Sequence, residues 1–153
     1  MYSHDPHATM KGIQAAFKLK DDKIEKPENY LGAQLTQKII NGMECWTMSS
    51  EQYVKASIAN VEAALKSSGQ RLPSRCTTPI QANYRPELDT AAELKLEGIR
   101  YYQEMIGVLR RTIELGRIDI AMEVSMLSSH LALPREGHLQ QAYHIFGFFE
   151  SKT

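Results

Sequence analysis

Apolar residues recur at helical spacing through the last third of the chain, and this pattern constrains the fold more than any other feature. They form three consecutive sets: Tyr102, Ile106, Leu109 and Ile113; Ile120, Val124, Leu127 and Leu131; and Leu139, Ala142, Tyr143 and Phe146. Gly116 and Pro134 separate the sets. Amphipathic helices joined by short links pack antiparallel and pool their apolar faces, so the sequence predicts a three-helix array.

A β-hairpin is predicted upstream of these helices. Within the stretch from Tyr30 to Ile40, the residues Leu31, Ala33 and Leu35 alternate with Gly32, Gln34 and Thr36, which predicts one strand. Asn41-Gly42 favours a tight turn, and Met43 to Met48 would be the returning strand, with Trp46 packed on one of its faces. Because a lone hairpin is marginal in water, this small sheet has to bury one face against another element.

The remaining segments complete an α+β architecture. Asp5-Pro6 predicts the start of a short helix that ends near Phe17, and the charged stretch Lys18 to Ile24 predicts an edge strand or a loop. Ser49 and Gln52 have the spacing of a capping box before a helix from Glu51 to Lys66. A long, mostly irregular connector then reaches Glu97. These elements divide the chain into segments 1–50, 51–97 and 98–153.

Charge and composition limit the functions that this chain can have. Its 153 residues suffice for one modest core, and its 18 basic and 18 acidic side chains cancel. No overall positive field therefore attracts nucleic acid, although a cleft needs only a positive local charge. The apolar runs fall short of the ~20 residues that a membrane span needs, so no membrane role is predicted.

Several landmarks occur in one order along the chain, and their order is more specific than any one of them. They are Tyr30-Leu31-Gly32, Trp46-Thr47-Met48-Ser49-Ser50 followed by Tyr53, Thr78-Pro79, Ile106-Gly107-Val108-Leu109-Arg110, and Pro134 with His138-Leu139. Together they resemble the downstream half of the reverse transcriptase of copia-type LTR retrotransposons, from the end of the palm through the thumb. The resemblance implies a fragment of an RNA-directed DNA polymerase from the pol polyprotein of a transposable element.

The resemblance assigns a primer-binding role to the first segment, 1–50. Tyr30, Leu31 and Gly32 stand where this family has the primer grip, a hairpin whose backbone holds the end of the primer. A glycine on that hairpin strand would allow close approach of a sugar-phosphate chain. Considered without the resemblance, Gly32 fits a bulge in an ordinary hairpin.

In the third segment, 98–153, the stretch from Tyr102 to Arg111 resembles the thumb helix that lies along the minor groove of the template–primer duplex. The resemblance implies that Gly107 allows close approach, that Gln103 bonds a groove edge and that Arg110 pairs with a phosphate. Arg111 stands where relatives commonly carry an aromatic residue, so a charge replaces a stacking ring. Periodicity alone describes these arginines as the solvated face of an amphipathic helix.

Catalysis is not expected from the chain by itself. In the family, a segment like Ser3-His4-Asp5-Pro6 closely follows the hairpin that carries two catalytic aspartates, so the sequence is expected to begin after that hairpin. The resemblance implies Mg²⁺ in the complete parent enzyme and no cofactor in this chain. Asp21-Asp22 is interpreted as a solvated charge cluster. His138 has no partner at zinc-site spacing and is interpreted as a capping or packing histidine.

Three functional hypotheses stay open. The chain is a truncated or decayed element with weak duplex affinity, one part of a split polymerase that docks with a palm-and-fingers polypeptide near Met10 and Leu31, or a co-opted module that binds a protein partner. Each predicts an exposed apolar patch and self-association. Cys45 and Cys76 show no disulfide or secretory pattern, which favours an intracellular setting, cytoplasmic or nuclear.

Overall fold

The computed structural model describes residues 5–17 and 26–152. Three of the sequence features lie outside that part of the chain: Ser3-His4 of the resemblance, the charged stretch Lys18 to Ile24, and the Asp21-Asp22 pair within it. The structure therefore does not test the predictions made for these three features.

The first helix, α1, spans Pro6–Ala16 and begins as predicted. Oxygen Oδ1 of Asp5 accepts hydrogen bonds from the backbone N–H groups of His7 (2.9 Å) and Ala8 (3.2 Å). These bonds satisfy amides that the start of a helix leaves without partners. Ile13 and Phe17 are both exposed, so α1 buries little of its apolar face.

A three-stranded antiparallel sheet follows, with β1 at Asn29–Tyr30, β2 at Ala33–Ile40 and β3 at Met43–Ser49 in the spatial order β1-β2-β3. The predicted turn at Asn41-Gly42 is confirmed, because both residues have positive φ (52° and 80°). A turn of this kind matches the twist of the flanking strands.

The prediction of one continuous strand from Tyr30 to Ile40 is wrong. Leu31 and Gly32 also have positive φ, at 49° and 92°, and they form a second two-residue turn between β1 and β2. Tyr30, Leu31 and Gly32 therefore occupy the end of a short strand and a tight turn. The alternation of residue types continues unbroken through this turn, so the sequence pattern did not reveal it.

Helix α2 spans Glu51–Ser67, in agreement with the predicted helix. The Ser49 hydroxyl accepts a hydrogen bond from the backbone N–H of Glu51 (3.2 Å), so it bonds one residue earlier than a capping box with Gln52 requires. The buried face of α2 carries Val54, Ile58, Val61 and Leu65. Residues 68–95 then form the connector, which is irregular as predicted except for a 3₁₀ turn at Pro86–Leu88.

The predicted three-helix array is confirmed. It consists of α3 (Leu96–Glu114), α4 (Ala121–Ser128), which follows a 3₁₀ turn at Ile118–Ile120, and α5 (Glu136–Glu150). The apolar faces of these helices and of α2 form one core, whose largest fully buried apolar side chains are Tyr102, Phe146, Phe149, Ile106, Leu109, Ile120, Leu127 and Ile145. The fold is α+β, as predicted, with the core in its helical part.

Candidate nucleic-acid interface

The β1–β2 turn holds the three residues that resemble the primer grip. Tyr30 and Leu31 are exposed, at 61% and 64% of their surface. Gly32 has a left-handed backbone, and a Cβ built on it would lie 3.3 Å from a ring carbon of Tyr53 and 3.8 Å from Leu115. The position therefore favours glycine because of the positive φ in the turn and the close packing against Tyr53 and Leu115.

Arg111 joins this turn to the end of α3. Its guanidinium donates a hydrogen bond to the Leu31 carbonyl oxygen and forms an ion pair with Glu114 (N···O 2.6 Å). The structure thus brings together two residues that the sequence analysis assigned to different nucleic-acid-binding elements. Arg111 acts here as a structural link between the sheet and α3.

The other candidate residues lie along one exposed face of α3. Gln103, Gly107 and Arg110 are spaced by four and three residues, and all are exposed. Gln103 lies eight residues before Arg111, about 12 Å away along the helix axis. Its side-chain amide donates to the Leu131 carbonyl oxygen in the loop after α4 (2.9 Å), so Gln103 also has a role within the protein.

Gly107 differs from Gly32 in its surroundings. A Cβ built on Gly107 meets nothing within 4 Å, so packing within the chain does not require a glycine at this position. The charges around it are mixed, because Glu104 and Glu114 share the exposed surface of α3 with Arg100 and Arg110. This face offers close access to the helix backbone without a strong positive field.

The outer part of the sheet exposes apolar side chains. Pairing of Gln37 with Trp46 and of Leu35 with Met48 places these residues on the same face as the buried Ala33. Trp46 is 52% exposed, which contradicts its prediction as a packed aromatic residue. The helices cover this face at Ala33, and the strands continue beyond that cover.

Sequence reasoning missed a row of polar side chains on α5 and its two capping residues that holds the connector in place. We call Arg135, His138, Gln141, His144 and Ser151 the anchoring row. Three side chains bond to connector carbonyl oxygens: Arg135 Nη1 to Ala91 (2.7 Å), His138 Nε2 to Pro86 (3.0 Å) and His144 Nδ1 to Pro79 (3.1 Å). Two accept from connector backbone N–H groups: Gln141 Oε1 from Gln81 (3.0 Å) and Ser151 Oγ from Cys76 (3.2 Å). The sequence signal was the three-residue spacing of His138, Gln141 and His144 on a helix that also carries many apolar residues.

Near the start of α5, two connector residues, Tyr84 and Asp89, have shifted pKa values. The Tyr84 hydroxyl donates to Asp89 Oδ2, and the backbone N–H of Ala91 donates to Asp89 Oδ1 (2.7 Å). Desolvation acts to raise the pKa of Asp89, but these bonds and the charges of His138 and Arg135 outweigh it, so the pKa is lowered. Burial, followed by the bond to Asp89, raises the pKa of Tyr84, which keeps its proton.

His138 caps α5, as the sequence analysis predicted, because its Nδ1 accepts the backbone N–H of Arg135 (3.0 Å). Among residues 5–17 and 26–152, no group of three or more histidine, cysteine, aspartate or glutamate side chains could hold a metal ion. No helix within those same ranges is long and apolar enough to cross a membrane. Comparisons of the chain with protein families, curated proteins and solved structures found no match.

Proposed function

We propose that this chain is the template–primer-binding part of a copia-type reverse transcriptase, comprising the end of the palm, a primer-grip-like turn and a thumb-like helix. The observation that supports the proposal is the bond between Arg111 and the Leu31 carbonyl oxygen. It joins the turn and α3, the two elements to which the resemblance assigns nucleic-acid contacts, into one unit.

In this proposal the residues of the unit have different tasks. Tyr30 and Leu31 present exposed side chains and turn backbone to the end of the primer. Gly107 allows the duplex backbone to approach α3, and Arg110 pairs with a phosphate. Gln103 can reach a groove edge only by giving up its bond to Leu131. Because the surrounding charges are mixed, the affinity for a duplex is weak and depends on salt.

Polymerisation belongs, in this proposal, to an assembly with a palm-and-fingers polypeptide that contributes the catalytic aspartates and their Mg²⁺ ions. We expect primer extension only when that polypeptide is present. We also propose an intracellular setting, cytoplasmic or nuclear, in keeping with the free thiols of Cys45 and Cys76.

The second candidate is a co-opted module that binds a protein partner or a second copy of itself. The observation that favours it is the exposed apolar side of the sheet, where Trp46, Met48 and Ile39 are each at least half exposed. Apolar patches of this kind mark association surfaces. Partner binding through such a patch would change little with salt, in contrast to duplex binding.

Titration of a fluorescently labelled RNA–DNA primer–template with the full chain, at several salt concentrations, tests the first proposal. Arg110→Ala is expected to weaken binding by roughly threefold to tenfold and to reduce the salt slope by about 1. Arg85→Ala removes another exposed arginine, one that lies in the connector, and should leave both quantities unchanged. Equal losses in the two variants, or no binding by the wild-type chain, would contradict the proposal.

A further inference from the structure

Strand β3 forms one edge of the sheet, because β2 is its only strand partner in the part of the chain that the structure describes. It is seven residues long, whereas β1 at the opposite edge has two residues. The uncovered side of an edge strand offers a row of backbone N–H and C=O groups to another strand. The edge formed by β3 is therefore the longer strand edge that this sheet presents.

The register of the sheet shows which residues of β3 point their backbone groups outward. The Leu35 N–H donates to the Glu28 carbonyl oxygen (2.7 Å), so the backbone groups of Leu35 point toward β1 and away from β3. In an antiparallel pair, opposite residues point their groups either toward or away from each other, in alternation along the strands. Met48 is the partner of Leu35, so its groups also point away from β2. The same holds at intervals of two, and we call Glu44, Trp46 and Met48 the edge triplet.

The edge triplet is accessible to another chain. Glu44 is exposed, and Trp46 and Met48 are 52% and 50% exposed. Proteins commonly prevent pairing at an edge strand with proline, lysine or several charges. Within β3 there is no proline and no lysine, and Glu44 is its one charged residue. The edge thus lacks the usual features that keep a second strand away.

A second copy of β3 fits this edge. When two copies align antiparallel, hydrogen-bonded pairs form between residues whose backbone groups point outward on both strands. In one register Trp46 faces Trp46 of the second copy and Glu44 faces Met48, so the whole edge triplet exchanges backbone hydrogen bonds. A shift by two residues in either direction leaves one member of the triplet without a partner from the triplet. The strand therefore complements itself best in the register centred on Trp46.

Charge also favours this arrangement. In the antiparallel register the two Glu44 carboxylates lie at opposite ends of the contact, about 13 Å apart along the strands. This separation exceeds the Debye length of about 8 Å at physiological salt, so their repulsion is screened. An in-register parallel contact would instead place the two carboxylates side by side. The two Trp46 rings meet at the centre of the antiparallel contact, on the same face of the joined sheet, where a cross-strand aromatic pair is stabilising.

We propose that the chain forms a symmetric dimer in which the edge triplets of two copies pair antiparallel and join the two sheets into one. Because both copies use the same surface, the contact closes and does not continue into a fibre. At the opposite edge, β1 and its turn cover the start of β2. The inference deepens the second candidate function and rests on it only for the choice of a second copy as partner, since the contact is the strand edge and not the apolar side of the sheet.

Sedimentation equilibrium of the full chain tests the dimer, with an expected dissociation constant in the micromolar range because a strand-edge contact is small. Glu44→Pro removes an N–H group that points outward, and it leaves the apolar side chains in place. We expect it to raise the dissociation constant about tenfold or more. Ile39→Pro is the matched control, because Ile39 is the cross-strand partner of Glu44 and points its N–H to the opposite edge. It should change the dissociation constant by less than about twofold.

NMR of a mixture of ¹³C-labelled and unlabelled wild-type chains tests the register without a variant. Cys45 and Thr47 flank Trp46, and across the dimer they form a non-hydrogen-bonded pair, in which the Hα atoms of opposite residues approach closely. Within one strand these two Hα atoms are about 7 Å apart. An intermolecular NOE between them is therefore the expected signature of this register.

Three results would overturn the inference: a wild-type chain that is monomeric at about 1 mM, equal weakening by Glu44→Pro and Ile39→Pro, or a dimer without the NOE between Cys45 and Thr47. Self-association that persists unchanged in Glu44→Pro would also overturn it, but would leave the second candidate function standing, because the apolar side of the sheet would then be the contact. A monomeric chain that still binds a protein partner would have the same meaning.

Discussion

The sheet and the helical array both carry apolar side chains at regular spacing, but they differ in what covers those side chains. In α2 to α5 the apolar faces point toward one another and form a closed core. In the sheet, Ala33 is fully buried, whereas Trp46, Ile39 and Met43 are mostly exposed. Regular spacing thus determines which residues share a face, and only the neighbouring elements determine whether that face is buried.

The largest expected difference between the two regions comes from truncating one aromatic residue in each. Phe146→Ala empties a fully buried site between the helices and should lower the free energy of unfolding by about 3–5 kcal/mol. Trp46→Ala removes a larger side chain that is half exposed and should cost less than about 1 kcal/mol. Urea unfolding followed by circular dichroism measures both changes. Similar losses would mean that the face around Trp46 is covered.

Two glycines sharpen the comparison between a packed and an open backbone. A Cβ on Gly147 of α5 would lie 2.1 Å from the Pro73 carbonyl oxygen, so Gly147→Ala must displace the connector and should cost about 1–3 kcal/mol. Gly107→Ala meets open space on α3 and should stabilise the helix by up to about 1 kcal/mol. The free energy of unfolding is expected to fall in Gly147→Ala and to rise in Gly107→Ala. A similar fall in both variants would contradict this expectation.

The smallest expected effect concerns the link between the two regions. Arg111→Ala removes the bonds to the Leu31 carbonyl oxygen and to Glu114, which should cost about 1–2 kcal/mol and mainly loosen the sheet. Arg110→Ala, its exposed neighbour, should change stability by less than about 0.5 kcal/mol. Amide exchange of β2 reports the loosening directly. If the β2 amides exchange equally fast in both variants, Arg111 does not hold the sheet.

Features encoded by neighbouring residues could be predicted from the sequence. The helices α2 to α5, the cap at Asp5 and the turn at Asn41-Gly42 each depend on residues within a few positions, and all are confirmed. The turn at Leu31-Gly32 was missed because leucine is an uncommon residue at positive φ and the alternation of residue types concealed it.

The bonding partners of the anchoring row could not be predicted, because each bond joins residues far apart in sequence. Gln141 and Gln81 are separated by 60 positions, and Ser151 and Cys76 by 75. The same limit applies to the candidate interface. Its residues on α3 share a face by local spacing, but the bond between Arg111 and Leu31 spans 80 positions and needs the folded structure.

Native-state amide exchange of the wild-type chain in low urea tests the contrast between the two regions most directly. The central amides of α3 and α5 should exchange only through global unfolding, with free energies that fall as urea is added. The amides that pair β2 with β3 should exchange through a smaller opening that changes little with urea. If both sets exchange with the same free energy and the same urea dependence, the sheet shares the stability of the helical core, and the account of an uncovered sheet beside a closed core is wrong.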